Sequence, residues 1–221
     1  MPNYSIKFED KEVERICLLN WDTDGDMKLS YEEATAVTTL DNQFKDYEYG
    51  KNKRIFSFDE LKYFTSLTQI EEEAFYDCRH LFKITIPEGV KEIGNHAFNG
   101  SGLQSITLNN GIKKIGAGAF YGSALRNIIL PEGLTEIGSE AFPHLDYIVI
   151  SSTVEEIGLR AIKADTIYCK APTPPKIEYN TILSPNVIYV DRNSYNDYIY
   201  YNNGENGWYS YREIIQPYDF E

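Results

Sequence analysis

The 221-residue sequence predicts an α+β repeat solenoid, a short β-rich array with a small helical cap at its N-terminus and a second cap at its C-terminus. Three observations predict it. Two short phrases recur along the middle of the chain in one shared register, turn signals separate them at fixed places, and the composition changes character on either side of the array. The expected boundaries are residues 1–58 for the helical cap, 59–170 for about five units of 20–23 residues, and 171–221 for the closing segment.

The first phrase is I-G-x-x-A-F: IEEEAF at 70, IGNHAF at 93, IGAGAF at 115, IGSEAF at 137 and IGLRAI at 157, at spacings of 23, 22, 22 and 20 residues. The second is L-x-x-I-x-I/L: LFKITI at 81, LQSITL at 103, LRNIIL at 125 and LDYIVI at 145, with a degraded ADTIYC at 164. Between them stand PEG at 87 and 131, NNG at 109 and SST at 151.

Each unit has a physical reading. Alternation points Ile84, Ile86, Ile106 and Leu108 inward and Thr85 and Thr107 outward, the period-2 pattern of a short strand. Pro87 or Pro131 stops that strand, and Gly89 or Gly133 gives the turn its backbone freedom. Gly-x-x-Ala-Phe then closes the unit in a tight corner, so that Phe75, Phe98, Phe120, Phe142 and Ile162 form an internal column. One unit cannot bury its apolar face alone, so the units stack on nearest neighbours, and the repeat length with this leucine pattern indicates a leucine-rich-repeat-like array.

These phrases resemble the BspA-type leucine-rich repeats of bacterial surface proteins. IKFEDKEVERICLLNWDTDGD with SFDELKYFTSLTQI is similar to the leader of such proteins, and CKAPTPP at 169, IYV at 188 and GWYSY at 207 to their closing segment. The resemblance implies a non-enzymatic, secreted or surface-attached protein-interaction module, with adhesion to host proteins in some members. Glycan binding in bacterial carbohydrate acquisition is the alternative.

The N-terminal stretch WDTDGDMKLSYEE, from Trp21 to Glu33, is EF-hand- or dockerin-like. Counting Asp22 as position 1 puts Asp24 at 3, Asp26 at 5, Lys28 at 7, Ser30 at 9 and Glu33 at 12, with Leu29 at the apolar position 8. Calcium takes oxygens from alternating residues as the chain wraps it, Lys28 giving its carbonyl and Glu33 both carboxylate oxygens. Val13, Ile16, Cys17 and Trp21 would line the entering helix, and Ala34, Val37 and Leu40 the exiting one. Position 6 departs from the pattern: Met27 stands where glycine is wanted, at a cost of roughly 1–2 kcal/mol if it turns left-handed. A weak structural calcium ion is therefore the expected cofactor. An acidic helix cap, with Asp26 or Ser30 at its head, is the competing expectation.

Charge narrows the partners. A formal net charge of −13, with Lys53-Arg54 and Lys113-Lys114 as the only basic doublets, disfavours nucleic acid and anionic membranes. No apolar run approaches the roughly 20 residues of a membrane span, and MPNYSIKFEDKEVER has no signal-peptide h-region, so surface location rests on the resemblance. Three scattered cysteines, Cys17, Cys78 and Cys169, disfavour disulfide scaffolds and zinc knuckles. His80, His96 and His144 form no metal or catalytic pair, no G-x-S-x-G elbow exists, and the glycines of GAGAF read as corners, so no enzyme is expected.

Outward strand positions form two columns, Lys83, Ser105, Asn127, Tyr147, Thr166 and Thr85, Thr107, Ile129, Val149, Tyr168, both losing polarity toward the C-terminus. Ile129, Tyr147, Val149 and Tyr168 are the candidate partner-binding patch, unless the closing segment folds back over them. That segment holds nine of the 18 tyrosines between Tyr179 and Tyr218. Ser194 is a candidate cap for a short helix, NNGENG at 202 a loop, and Trp208, Tyr211, Ile214 and Ile215 an anchoring face at helical spacing. Its aromatic rings could instead stack on sugars.

Overall fold

The computed structural model describes residues 4–45, 54–177, 180–200 and 207–220. Successive turns stack into two parallel ladders. One is built from two-residue rungs at Gln69–Ile70, Glu92–Ile93, Lys114–Ile115, Glu136–Ile137, Glu156–Ile157 and Lys176–Ile177, which pair in that order. Ile70, Ile93, Ile115, Ile137 and Ile157 fall in register and are buried.

The corner explains why the phrase I-G-x-x-A-F repeats. A Cβ at Gly138 would lie 2.4 Å from the main-chain nitrogen of Ala117, and one at Gly116 would lie 2.6 Å from that of Asn95. Only glycine lets successive turns approach so closely. Three residues past each rung isoleucine, the chain turns left-handed at Glu73, His96, Gly118, Glu140, Arg160 and Asn180, with φ between 53° and 64°. The alanines that follow are fully buried, and Phe75, Phe98, Phe120 and Phe142 stack face to face at 5.2, 5.4 and 5.7 Å. Phe44 of the N-terminal cap continues the stack at 5.4 Å from Phe75.

The second ladder forms the strand face. Asn127–Ile129, His144–Ile150, Ile162–Cys169, Val187–Asp191 and Ile215–Tyr218 are hydrogen-bonded side by side, all parallel. At the other end of the same face Ser57–Phe58 pairs with Lys83–Ile84. Between these two sheets the alternation of LQSITL predicts one more strand, and the structure departs from it. Leu103–Leu108 belongs to no strand, and among the described residues it makes no main-chain hydrogen bond to either neighbouring turn. Inward pointing survives at Leu103 and Leu108, while Ile106 is only half-buried.

That segment is held at its ends instead. Before it, Gly102 packs so close to Arg79 that a Cβ would lie 2.4 Å from the Arg79 carbonyl oxygen. After it, Asn109 replaces the proline of the neighbouring turns, donating its Nδ2 to the Pro87 carbonyl at 2.7 Å and accepting from the Gly111 N–H at 2.7 Å.

The N-terminal cap contains helices α1 (Lys11–Trp21) and α2 (Tyr31–Ala36). Val13, Ile16 and Cys17 bury the inner face of α1 as the spacing predicts, but α2 ends at Ala36, so Val37 and Leu40 are buried from a non-helical stretch. One carboxylate ties the cap to the array: Asp10 caps α1 by accepting from Glu12 and Val13 N–H, and its other oxygen accepts from Phe56 and Ser57 N–H.

The closing segment lies beside the array and continues its strand face. Trp208 is buried and donates Nε1 to the Pro175 carbonyl at 2.7 Å, and Tyr198 is buried with its hydroxyl donating to the Ala171 carbonyl at 2.7 Å. The spacing of Trp208 to Ile215 does not form one helix. A 3-10 turn over Gly207–Tyr211 gives way to the strand Ile215–Tyr218, because Ile215 is taken into the ladder beside Ile188. Ser194, expected as a helix cap, is the last residue of a 3-10 turn over Arg192–Ser194 that runs into helix α3 (Tyr195–Tyr200), and Asp191 caps that turn by accepting from the Asn193 N–H. The loop expected at 202 lies outside the described residues.

The stacked phenylalanines give a quantitative expectation. Phe120→Ala should cost about 3–5 kcal/mol in chemical denaturation, since both ring faces lose their partners. Tyr121→Ala, at an exposed neighbouring position, should stay within about 0.5 kcal/mol. Equal losses would show that the stack is not what holds the turns together.

Candidate functional site

Two places carry chemistry beyond packing: the acidic loop between α1 and α2, and the strand face. In the loop the chain wraps a turn that places carboxylate oxygens of Asp22, Asp24 and Glu33 within 4.8 Å of one another. Among the described residues none of these three makes a salt bridge. Asp26 is not in this group, and its Oδ1 accepts from the Lys28 N–H at 2.8 Å. Asp22 accepts from the N–H groups of Gly25 and Met27, at 2.8 and 3.0 Å.

Ser30 and Glu33 form a reciprocal capping box at the head of α2. Glu33 Oε2 accepts from the N–H and hydroxyl of Ser30, and Oε1 from the N–H and hydroxyl of Thr23, at 2.7–2.9 Å. Partial burial pushes the Glu33 carboxyl up, but these four donors outweigh it and hold the pKa at about 2. The loop geometry and the helix cap are thus present together, sharing Glu33.

Met27 turns left-handed, with φ 64°, and its side chain is 80% exposed. The strain that the sequence assigns to calcium binding is therefore carried by the folded chain itself. Leu29, at the eighth loop position, is buried, and its carbonyl accepts from the Ile6 N–H at 2.8 Å while Ser5 bridges Ser30. An N-terminal segment of the same cap thus supports the loop through an isolated antiparallel bridge.

From Asn127 onward the register of the strand face is the one the columns predict. Asn127, Tyr147 and Thr166 lie side by side, as do Ile129, Val149 and Tyr168. Ile129 is 65% exposed and Tyr147 36%, whereas Val149 and Tyr168 are half-buried. The closing segment extends this row: Tyr189 stands next to Tyr168 in register, with ring centroids 5.1 Å apart, and Tyr218 meets both rings edge-on or tilted at 5.7 and 5.4 Å. Ile129, Tyr147 and Val149 line a shallow groove of about 480 Å³.

The three histidines are dispersed. His144 is exposed with Nε2 3.0 Å from Asp165 Oδ1, His80 is exposed, and His96 is half-buried beside the Asn99 amide. Cys17, Cys78 and Cys169 are buried and none is in a disulfide, and burial pushes the thiols of Cys17 and Cys169 up.

Residues 52–168, more than half the chain, match the family model of the BspA type leucine-rich repeat region in six copies. The chain belongs to the BspA-type leucine-rich repeat family. Three solved structures are similar to this BspA-type chain. A leucine-rich repeat protein from Bacteroides ovatus is 32% identical over 57% of this chain and 37% of that one, with a TM-score of 0.46. The pneumococcal vaccine antigen PcpA is 17% identical over 81% of this chain and 44% of that one, with a TM-score of 0.56, which supports the fold. The T. pallidum leucine-rich repeat protein is 21% identical over 67% of this chain and 83% of that one, with a TM-score of 0.47. This BspA-type chain thus spans less than half the length of the first two. None of the curated proteins matches it.

The left-handed methionine supplies a direct test of the loop. Met27→Gly should raise stability by about 1 kcal/mol in thermal or chemical unfolding without added metal, because glycine relieves the strain and little packing is lost. A destabilised variant would mean that Met27 is not held left-handed in the free protein.

Proposed function

We propose that the protein is a non-enzymatic, secreted or cell-surface protein-interaction module, with adhesion to host proteins as its role. The observation that carries this reading is the row Ile129, Val149, Tyr168 with Tyr147 beside it, exposed at Ile129 and Tyr147, which the closing segment lengthens through Tyr189. Flat contact surfaces built on aromatic and aliphatic side chains, with charges kept to the rim, are what protein partners bury. Membership of a family of bacterial surface proteins supports the location. No helix among the described residues is long and apolar enough to cross a membrane.

The test is surface plasmon resonance against a panel of immobilised host extracellular-matrix proteins. Ile129→Asp and Tyr168→Ala should each weaken the interaction about tenfold or more, with unchanged melting temperature. Binding that ignores both variants would remove the row from the function, and a panel with no binder would remove adhesion to matrix.

The acidic loop is assigned, on this reading, an architectural calcium ion. The donors fit a hard cation: Asp22, Asp24 and Glu33 offer only oxygens, and their carboxylates converge without a neutralising side chain. Such an ion would tie the end of α1 to the head of α2, and would compete with Thr23 and Ser30 for Glu33, which favours weak affinity. Calcium at ten times its Kd should stabilise the protein by about 1.4 kcal/mol, and Asp22→Asn should abolish the effect. A chelated sample showing neither heat nor a melting shift at millimolar calcium would end this assignment.

A further inference from the structure

The third turn of the strand face differs from the others in a way that the contact row does not use. From Leu103 to Leu108 neither main chain nor side chains have a hydrogen-bond partner among the described residues, although Leu103 and Leu108 are themselves buried. Main-chain groups ordinarily find a partner, and among the described residues none supplies one here, so water or a ligand can take that place. Two depressions of about 300 and 480 Å³ meet on this segment, and both are lined by Ser105, Ile106 and Thr107.

Most of the groups that line these two depressions are neutral. Ser105 and Thr107 supply hydroxyls, Asn110 and Asn127 supply carboxamides, and all four residues are exposed, with no side-chain hydrogen bond among the described residues. The charged side chains of the lining are Asp59, Lys83 and Glu88 in one depression and Glu132 and Lys170 in the other. Tyr147 closes one wall with a partly exposed ring.

We propose that this groove, centred on Ser105–Leu108 and walled by Asn127 and Tyr147, binds a neutral oligosaccharide. Each sugar hydroxyl donates and accepts one hydrogen bond, matching the mixture of N–H, carbonyl, hydroxyl and carboxamide groups on offer. The apolar face of a pyranose can pack on the Tyr147 ring. An acidic sugar is disfavoured by the net charge of −13 and the lack of a basic cluster in the groove.

An added peptide strand fits less well. Strand addition uses the free outer edge of a sheet, whereas the unpaired edges here face inward and are flanked by Lys83–Ile84 and Asn127–Ile129. The Tyr168 and Tyr189 rings farther along are stacked on one another, so each blocks a face of the other. Tyr147 is therefore the ring placed to receive a sugar beside the unpaired segment. This groove shares Tyr147 with the protein-binding row, whose test uses Ile129 and Tyr168 instead, so the two readings fail separately.

The experiment is titration calorimetry of the full chain with neutral hexasaccharides of β-glucan, xylan, mannan and α-glucan type, paired with hydrogen exchange. At least one should bind saturably, and the amides of Ile106, Thr107 and Leu108, fast-exchanging in the free protein, should become protected. Asn127→Ala and Tyr147→Ala should each weaken that binding about tenfold at unchanged melting temperature, while Lys176→Ala on the opposite ladder should not. The proposal is overturned if no hexasaccharide binds, if binding survives both variants, or if protection falls elsewhere. It is equally overturned if those amides are protected only by a polypeptide.

Discussion

Everything in this molecule rests on the closeness with which one turn's main chain lies on the next at the corner. A single methyl group at Gly116 or Gly138 would sit 2.4–2.7 Å from atoms of the preceding turn. That approach sets the spacing at which the rung isoleucines pair and the phenylalanine rings stack with planes within 5° of parallel. Dispersion between such rings is small per atom and large in sum, and it is lost steeply with distance. Corner and stack are therefore one constraint seen from two sides.

A stack of this kind has two exposed ends, and the chain closes them by different means. At the start there is no preceding turn, and the corner position that is glycine in the next four turns is Glu71, whose carboxylate reaches out to accept the Leu40 N–H. Asp10 and Glu60 make similar reaches, the latter accepting from Glu9 N–H. The far end is closed by large aromatic residues, Tyr198, Trp208 and Tyr211, each hydrogen-bonded to a carbonyl of the array or of its last turn. Polar clamps suit a cap that docks as a separate small unit, and buried rings suit a segment that continues the same sheet.

The ladders, the phenylalanine column and the outward columns were legible because each follows from a local period that repeats. Ile84 and Ile128 obey the same alternation and do what it says. The interrupted ladder was not legible, since LQSITL carries the same alternation as its neighbours and the difference arises from Gly102 and Asn109 packing on the turn before. Asp10 and Glu71 were missed for a related reason: their partners lie 46 and 31 residues away, beyond any periodic signal. Asp10 did carry a local sign, an acidic residue at the head of an amphipathic run. In the acidic loop the spacing located the convergence of Asp22, Asp24 and Glu33, but not the competition of Thr23 and Ser30 for Glu33.

The glycine corner also makes the array modular in length. Because each turn offers upward the same surface that it accepts from below, a unit can be gained or lost by recombination between like segments while both caps keep their own contacts. Every unit gained moves the two caps apart by one strand spacing, about 4.8 Å, and adds one rung to the strand face. Such a face behaves as a ruler: the length of its outward row is set by counting turns, and its chemistry can be rewritten one rung at a time.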